Sequence, residues 1–124
     1  MDFRFNPEQQ AFQKEIRDFV LTELPQELLW SERIAFTDAL WPAVLEARKK
    51  LAEKGWATMH WPVEYGGQDA SHITQMLLVE EMAYRGIPQV IAFDDGPNLI
   101  GPILIQFGSE HLKNTLLPAI AHAE

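Results

Sequence analysis

Cysteine is absent from the 124 residues, so the chain has no disulfide framework and no thiolate chemistry. That composition fits a reducing cytoplasm. Positive charge is in short supply: 10 Lys and Arg stand against 18 Asp and Glu, for a net charge of -8. Such a balance argues against binding the phosphate backbone of nucleic acid or an anionic membrane. No apolar run approaches the ~18 residues of a membrane span. The opening Met-Asp-Phe-Arg-Phe-Asn-Pro-Glu has neither the basic nor the apolar region of a signal peptide. There is no nucleophile elbow and no phosphate loop: Gly66-Gly67 is followed by no Lys-Ser/Thr and preceded by no strand. His60, His72, His111 and His122 are scattered, and no metal-ligand spacing joins them.

What is present is an ordinary globular composition, 47% hydrophobic and 23% charged, at a length that suits one domain with its own core. The stretch Gly55–Gly67 organises the rest. It has no helical period and carries Trp56, Trp61 and Tyr65, too much apolar area to leave in water, so it is expected to fold back and close the core. His60 reads there as a hydrogen-bonded packing residue. Before the loop, Asn6-Pro7-Glu8-Gln9 opens a first helix as cap, N1 proline and capping box, with Phe12, Ile16, Phe19 and Val20 on one face and Pro25 as its stop. A docked connector with a short helical turn follows over 25–38. Thr37 or Asp38 is expected to cap a second helix running to about Lys54, with Leu40, Val44, Leu45 and Leu51 as its stripe and Gly55 at C′. Arg48, Lys49, Lys50 and Lys54 near its end read as charges matched to the helix dipole.

After the loop, Ser71 caps a third helix over about 71–85, whose Ile73, Met76, Leu77, Leu78 and Met82 suggest heavy burial. Glu80 and Glu81 point about 100° apart on it and form no catalytic dyad. A short helix to about Asp94 and a break at Gly96-Pro97 come next. Residues 98–107 are nearly all apolar and read as a buried, kinked or restarted helix with Gly108 at C′; the β-branched content leaves a strand open. Ser109 opens a last helix to about Leu117. Asp94-Asp95 beside the apolar segment are either caps or members of a polar site. The expected fold is all-α, a compact orthogonal bundle of about five to six helices with a long aromatic loop.

The chain resembles the N-terminal helical domain of the acyl-CoA dehydrogenase family across nearly its whole length. The matching pieces are Phe5-Asn6-Pro7-Glu8-Gln9-Gln10-Ala11-Phe12, Glu15-Ile16-Arg17-Asp18-Phe19, Gly55-Trp56, Trp61-Pro62-Val63-Glu64-Tyr65-Gly66-Gly67, Glu80-Glu81-Met82-Ala83, Gly101-Pro102, Gly108-Ser109-Glu110 and Leu117-Pro118-Ala119-Ile120. Each is weak alone; their order and spacing make the set specific. The His60-Trp61-Pro62 variant and the Leu24-Pro25 helix end look most like long bacterial members, which include pimeloyl-CoA dehydrogenase large subunits and steroid side-chain dehydrogenases. The resemblance implies FAD-dependent α,β-dehydrogenation of an acyl-CoA thioester. A base takes the α-proton, hydride passes to flavin N5, and electrons leave to an electron-transfer flavoprotein. Residues 1–124 would form the helical domain alone. A flavin β-domain and a C-terminal helical domain with the glutamate base would lie outside it, so this part is expected to bind no FAD and to be inactive by itself. The implied role is to wall the acyl pocket. Ungapped alignment from Tyr84 to Pro102 puts Val90, Asp94 and Asn98 at its floor, where two polar residues suit a polar, short or functionalised acyl group. The expected partners are acyl-CoA, the electron-transfer flavoprotein and the protein's own remaining domains, in a cytoplasmic homo- or hetero-oligomer. An exposed apolar face is expected where those domains dock. The alternative is a non-catalytic helical interaction module, or the flavin-free partner subunit of a heteromeric dehydrogenase.

Overall fold

Asn6 begins the first element by exchanging two hydrogen bonds with Gln9: its side-chain oxygen accepts from the Gln9 N–H at 2.9 Å, and its own N–H donates to Gln9 Oε1 at 2.9 Å. This closes the capping box ahead of α1 (Pro7–Thr22). The computed structural model describes residues 4–29, 39–87 and 94–124. Within them run α1, a 3-10 turn at Gln26–Leu28, α2 (Trp41–Glu53), a 3-10 turn at Val63–Tyr65, α3 (His72–Tyr84), a π-helical turn at Gly96–Ile100, α4 (Gly101–Phe107) and α5 (Glu110–Ala121). The fold is an all-α bundle, with five α-helices among the described residues.

The core forms where three apolar faces meet. Ile16, Phe19 and Val20 come from α1, Val44, Ala47 and Leu51 from α2, and Leu77, Leu78 and Met82 from α3, with α1 packed along α3. Each fully buried side chain of leucine size contributes about 1.5–3 kcal/mol. The aromatic loop folds back as expected: Trp56, Met59 and Trp61 are buried, and Phe12 and Phe19 meet the Trp56 ring edge-on. Gly55 (φ +69°) and Gly86 (φ +77°) end α2 and α3 in the same way. In each case the glycine N–H and the one after it reach back to the last turn, Gly55 to Ala52 and Trp56 to Leu51, then Gly86 to Ala83 and Ile87 to Met82.

Several expectations need correction. Helix α2 starts at Trp41 with Leu40 as N-cap and no side-chain cap; Pro42 fits the first turn because no N–H is needed there. Thr37 and Asp38 lie outside the described residues, as does the short helix expected over 88–93. Leu45 is exposed, because α2 buries Ala43, Val44 and Ala47, and Leu45 stands 100° away from Val44. Ile73 and Met76 on α3 are exposed too. There is no break at Gly96-Pro97: the chain coils from Gly96 through Phe107, its π-turn passing into α4. That segment is helical, and it is not buried all round. Only Pro97 and Gly101 are buried in it, while Leu99, Ile100, Ile103 and Phe107 face outward. Gly108 is the C-cap itself at φ -69°, not a left-handed C′. Helix α5 continues through Pro118 to Ala121. Of the two adjacent acids, Glu80 is exposed and Glu81 buried, where Arg17 of α1 donates to it at 3.2 Å.

Candidate functional site

Trp61 fixes the segment that carries the predicted site. Its indole is 1% exposed, and its Nε1–H donates to the Pro97 carbonyl at 2.9 Å. The same ring abuts Gly101. A Cβ there would stand 2.6 Å from Cη2 and 2.7 Å from Cε2, and closer still to Cζ2. The glycine of the Gly101-Pro102 pair is therefore required by the tryptophan of the loop. The Pro97 carbonyl also hydrogen-bonds the His60 imidazole. Burial pushes that imidazole below its ordinary value of 6.5; the Pro97 bond opposes the shift and the charge of His72 adds to it. His60 is thus a packing residue on the π-turn, as the sequence indicated.

The other end of the turn is tied to α2. Arg48 Nε donates to Asp94 Oδ2 at 2.6 Å and its Nη2 to Oδ1 at 2.7 Å. The Asp94 side chain is 9% exposed and that of Arg48 26%. Oδ1 also accepts from the Gly96 N–H at 3.3 Å, and the Asn98 side chain donates to the Asp94 carbonyl at 3.0 Å. A fork-on-fork pair of this kind is stronger and more directional than a single ionic contact. Arg48 is therefore engaged by a side chain 46 residues away and is not simply a charge set against the helix dipole. Its neighbours behave otherwise: Lys50 pairs with Glu46 and donates to the Glu23 carbonyl, and Lys54 lies over the Phe19 and Trp56 rings.

Asp94 and Asn98 are thus brought together at one turn, where Asp94 accepts from the Gly96 N–H and pairs with Arg48. Val90 lies outside the described residues. Beyond the turn, Leu99, Ile103 and Phe107 recur every fourth residue and, with Ile100, make one outward stripe; Phe107 is 74% exposed. Leu112 and Leu116 on α5, which packs on α4, are exposed as well. Sequence reading missed this outward orientation, and it read Arg48 as a dipole charge without its pairing to Asp94. Among the described residues no cluster of His, Asp or Glu is placed to hold a metal ion, and no helix is long and apolar enough to cross a membrane.

Structurally, this is a helical domain with a buried aromatic core and exposed apolar side chains on α4 and α5. Residues 6–124 match the family model of the acyl-CoA dehydrogenase N-terminal domain, and the chain belongs to that family. It is similar to the acyl-CoA dehydrogenase FadE26 of Mycobacterium tuberculosis, with 25% identity over 122 residues, 98% of this chain and 30% of that protein. Among solved structures it is similar to the ChsE4-ChsE5 complex from Mycobacterium tuberculosis, at TM-score 0.77 and 26% identity over 99% of this chain and 30% of that one. It is likewise similar to the Tcur3481-Tcur3483 steroid ACAD, at TM-score 0.81 and 29% identity over 99% of this chain and 31% of that one. The chain thus spans less than a third of the length of these relatives. No relative among these singles out pimeloyl-CoA dehydrogenase.

Proposed function

We propose that residues 1–124 are the helical part of an FAD-dependent acyl-CoA dehydrogenase and form one wall of its acyl pocket. Val90, Asp94 and Asn98 lie at the pocket floor in this reading. FAD and the catalytic base come from the parts that complete the enzyme, and this chain does no chemistry alone. Electrons pass to an electron-transfer flavoprotein, in the cytoplasm. The observation that carries the reading is the uncovered stripe Leu99, Ile100, Ile103 and Phe107 running on directly from the turn that holds Asp94 and Asn98. A face this apolar calls for a covering partner, and the family match supports the flavin-bearing part of the same enzyme as that partner.

A second reading makes this chain a flavin-free partner subunit in a heteromeric dehydrogenase. It is favoured by the two-component solved structures to which the chain is similar. Both readings are tested by purifying this chain alone and within its flavin-loaded assembly, then adding acyl-CoA anaerobically. The expected result is a bleached flavin band for the assembly, and neither flavin nor turnover for the chain alone. An assembly whose flavin no acyl-CoA reduces, or an isolated chain that retains flavin and turns over substrate, would overturn the proposal.

A further inference from the structure

A recess lies on the far side of α5 from the exposed Leu112 and Leu116. At 100° per residue those two leucines point one way from the helix, and Asn114, Leu117, Pro118 and Ala121 point the other. The latter four, with Thr58 and Tyr65 of the aromatic loop, are among the residues that line a partly open cavity of about 290 Å3. Its walls are held in place. The loop meets α5 where a Cβ at Gly66 would touch Ala121 Cβ at 3.5 Å. Thr58 Oγ1 donates to the Gly66 carbonyl at 3.0 Å. Lys113 stands 5.5 Å from the centre of the Tyr65 ring and 3.4 Å from Glu110, and so ties the ring to α5. Leu117, 1% exposed, gives the recess an apolar floor.

The same wall carries an acceptor. Pro118 stands inside α5 and has no N–H, so the Asn114 carbonyl loses the donor that a helix places four residues on. Such a carbonyl beside an apolar recess suits a polypeptide segment that brings an N–H and an apolar side chain together. Recesses of this kind take the anchor side chains of protein interfaces. Helix α5 is thus apolar on two sides, as is a helix that lies between two layers. The family model matched is that of an N-terminal domain, and the matched part makes up 30% of the FadE26 relative. Beyond the last helix of an N-terminal domain the next part of the enzyme begins, and Ala121 and His122, at the end of α5, border this cavity.

We propose that the cavity between the aromatic loop and α5 is a docking site for the flavin-bearing part of the enzyme, which seats an apolar side chain against Leu117, Pro118 and Ala121 and donates an N–H to the Asn114 carbonyl. The proposal rests on the reading of this chain as the helical domain of such an enzyme. It sets α5 between two contacts, the apolar stripe on one side and the recess on the other.

Because the chain has no cysteine, single introduced thiols report which surfaces are covered. Asn114→Cys and Ala121→Cys probe the recess, and Phe107→Cys probes the stripe. Each is labelled with N-ethylmaleimide, in the chain alone and in the flavin-loaded assembly, and the modified peptide is followed by mass spectrometry. Labelling at both recess positions should slow by about tenfold or more in the assembly, the mark of a surface exposed only in rare openings. Recess thiols labelled as fast in the assembly as in the chain alone, with Phe107→Cys slowed, would overturn the proposal and leave the reading of the enzyme intact. Labelling slowed at none of the three positions would overturn both. Slowing in the chain alone that grows with its concentration would give the recess to a second copy and overturn the proposal as well.

Discussion

Replacing Gly101 with alanine sets two well-known effects against each other. On helix propensity alone the change is favourable by about 1 kcal/mol, since Gly101 begins α4. The packing opposes it. The added methyl would lie 2.6–2.7 Å from the Trp61 ring atoms Cη2 and Cε2 and closer still to Cζ2, so the ring must retreat by about 1.5–2 Å to reach ordinary carbon contact. Trp61 is fully enclosed and its Nε1 is bonded to the Pro97 carbonyl at 2.9 Å, so it has little room to move. Overpacking of this kind costs about 1–3 kcal/mol, and a buried hydrogen bond lost in the process adds about 1–3 kcal/mol. The net expectation for Gly101→Ala is a loss of about 1–5 kcal/mol, a large share of the about 5–15 kcal/mol typical of a domain. Urea denaturation followed by circular dichroism measures it. Trp61→Phe removes the ring atoms that collide, so adding Gly101→Ala to Trp61→Phe should cost about 1–3 kcal/mol less than adding it to the unsubstituted chain. A Gly101→Ala variant as stable as the parent, or additivity with Trp61→Phe, would refute the account of how loop and turn are locked.

Lowering the pH should weaken the fold through His60. Its folded-state proton affinity is reduced by burial, so its contribution is intact above about 6.5, the unfolded value. It falls as pH drops from there towards the folded value, because the unfolded chain then binds the extra proton. His60→Gln should flatten that part of the stability–pH curve, measured by thermal unfolding across mildly acidic buffers, and an unchanged slope would count against it. The apolar stripe makes a different prediction. Ile103→Asp and Phe107→Asp should alter the chain's own stability by no more than about 0.5 kcal/mol, as for other surface changes. The same variants should abolish co-purification with the flavin-bearing part. Retained co-purification would show that this face is not the covered one.

How much of this was legible beforehand follows from the range of the interactions. The capping box at Asn6 and Gln9, the Ser71 and Ser109 caps and the glycine stop at Gly55 are local, written within a few residues, and were read correctly. The folding back of the aromatic loop followed from the need to cover two tryptophans. The misreadings arose where tertiary context decides. Residues 98–107 are apolar enough for a core, and nothing in the spacing says that one side is left exposed. The likeness between a buried helix and an exposed apolar one is intrinsic, since both are simply apolar in sequence. Arg48 sat within a basic cluster and looked like its neighbours, and only the fold brings Asp94 to it from 46 residues away. Gly101 drew notice as part of a motif, but its physical reason, the Trp61 ring, is 40 positions upstream by residue number.

The account turns on the claim that the Asp94–Ile100 turn is a wall of the acyl pocket. The most direct measurement is the acyl profile of Asn98→Ala in the flavin-loaded assembly, as kcat/KM for octanoyl-CoA and for ω-hydroxyoctanoyl-CoA. The account predicts that the preference for the polar tail falls by about tenfold, the worth of one good hydrogen bond, with flavin content unchanged. An Asn98→Ala enzyme that keeps the parental ratio would contradict it and leave the turn as a structural joint alone.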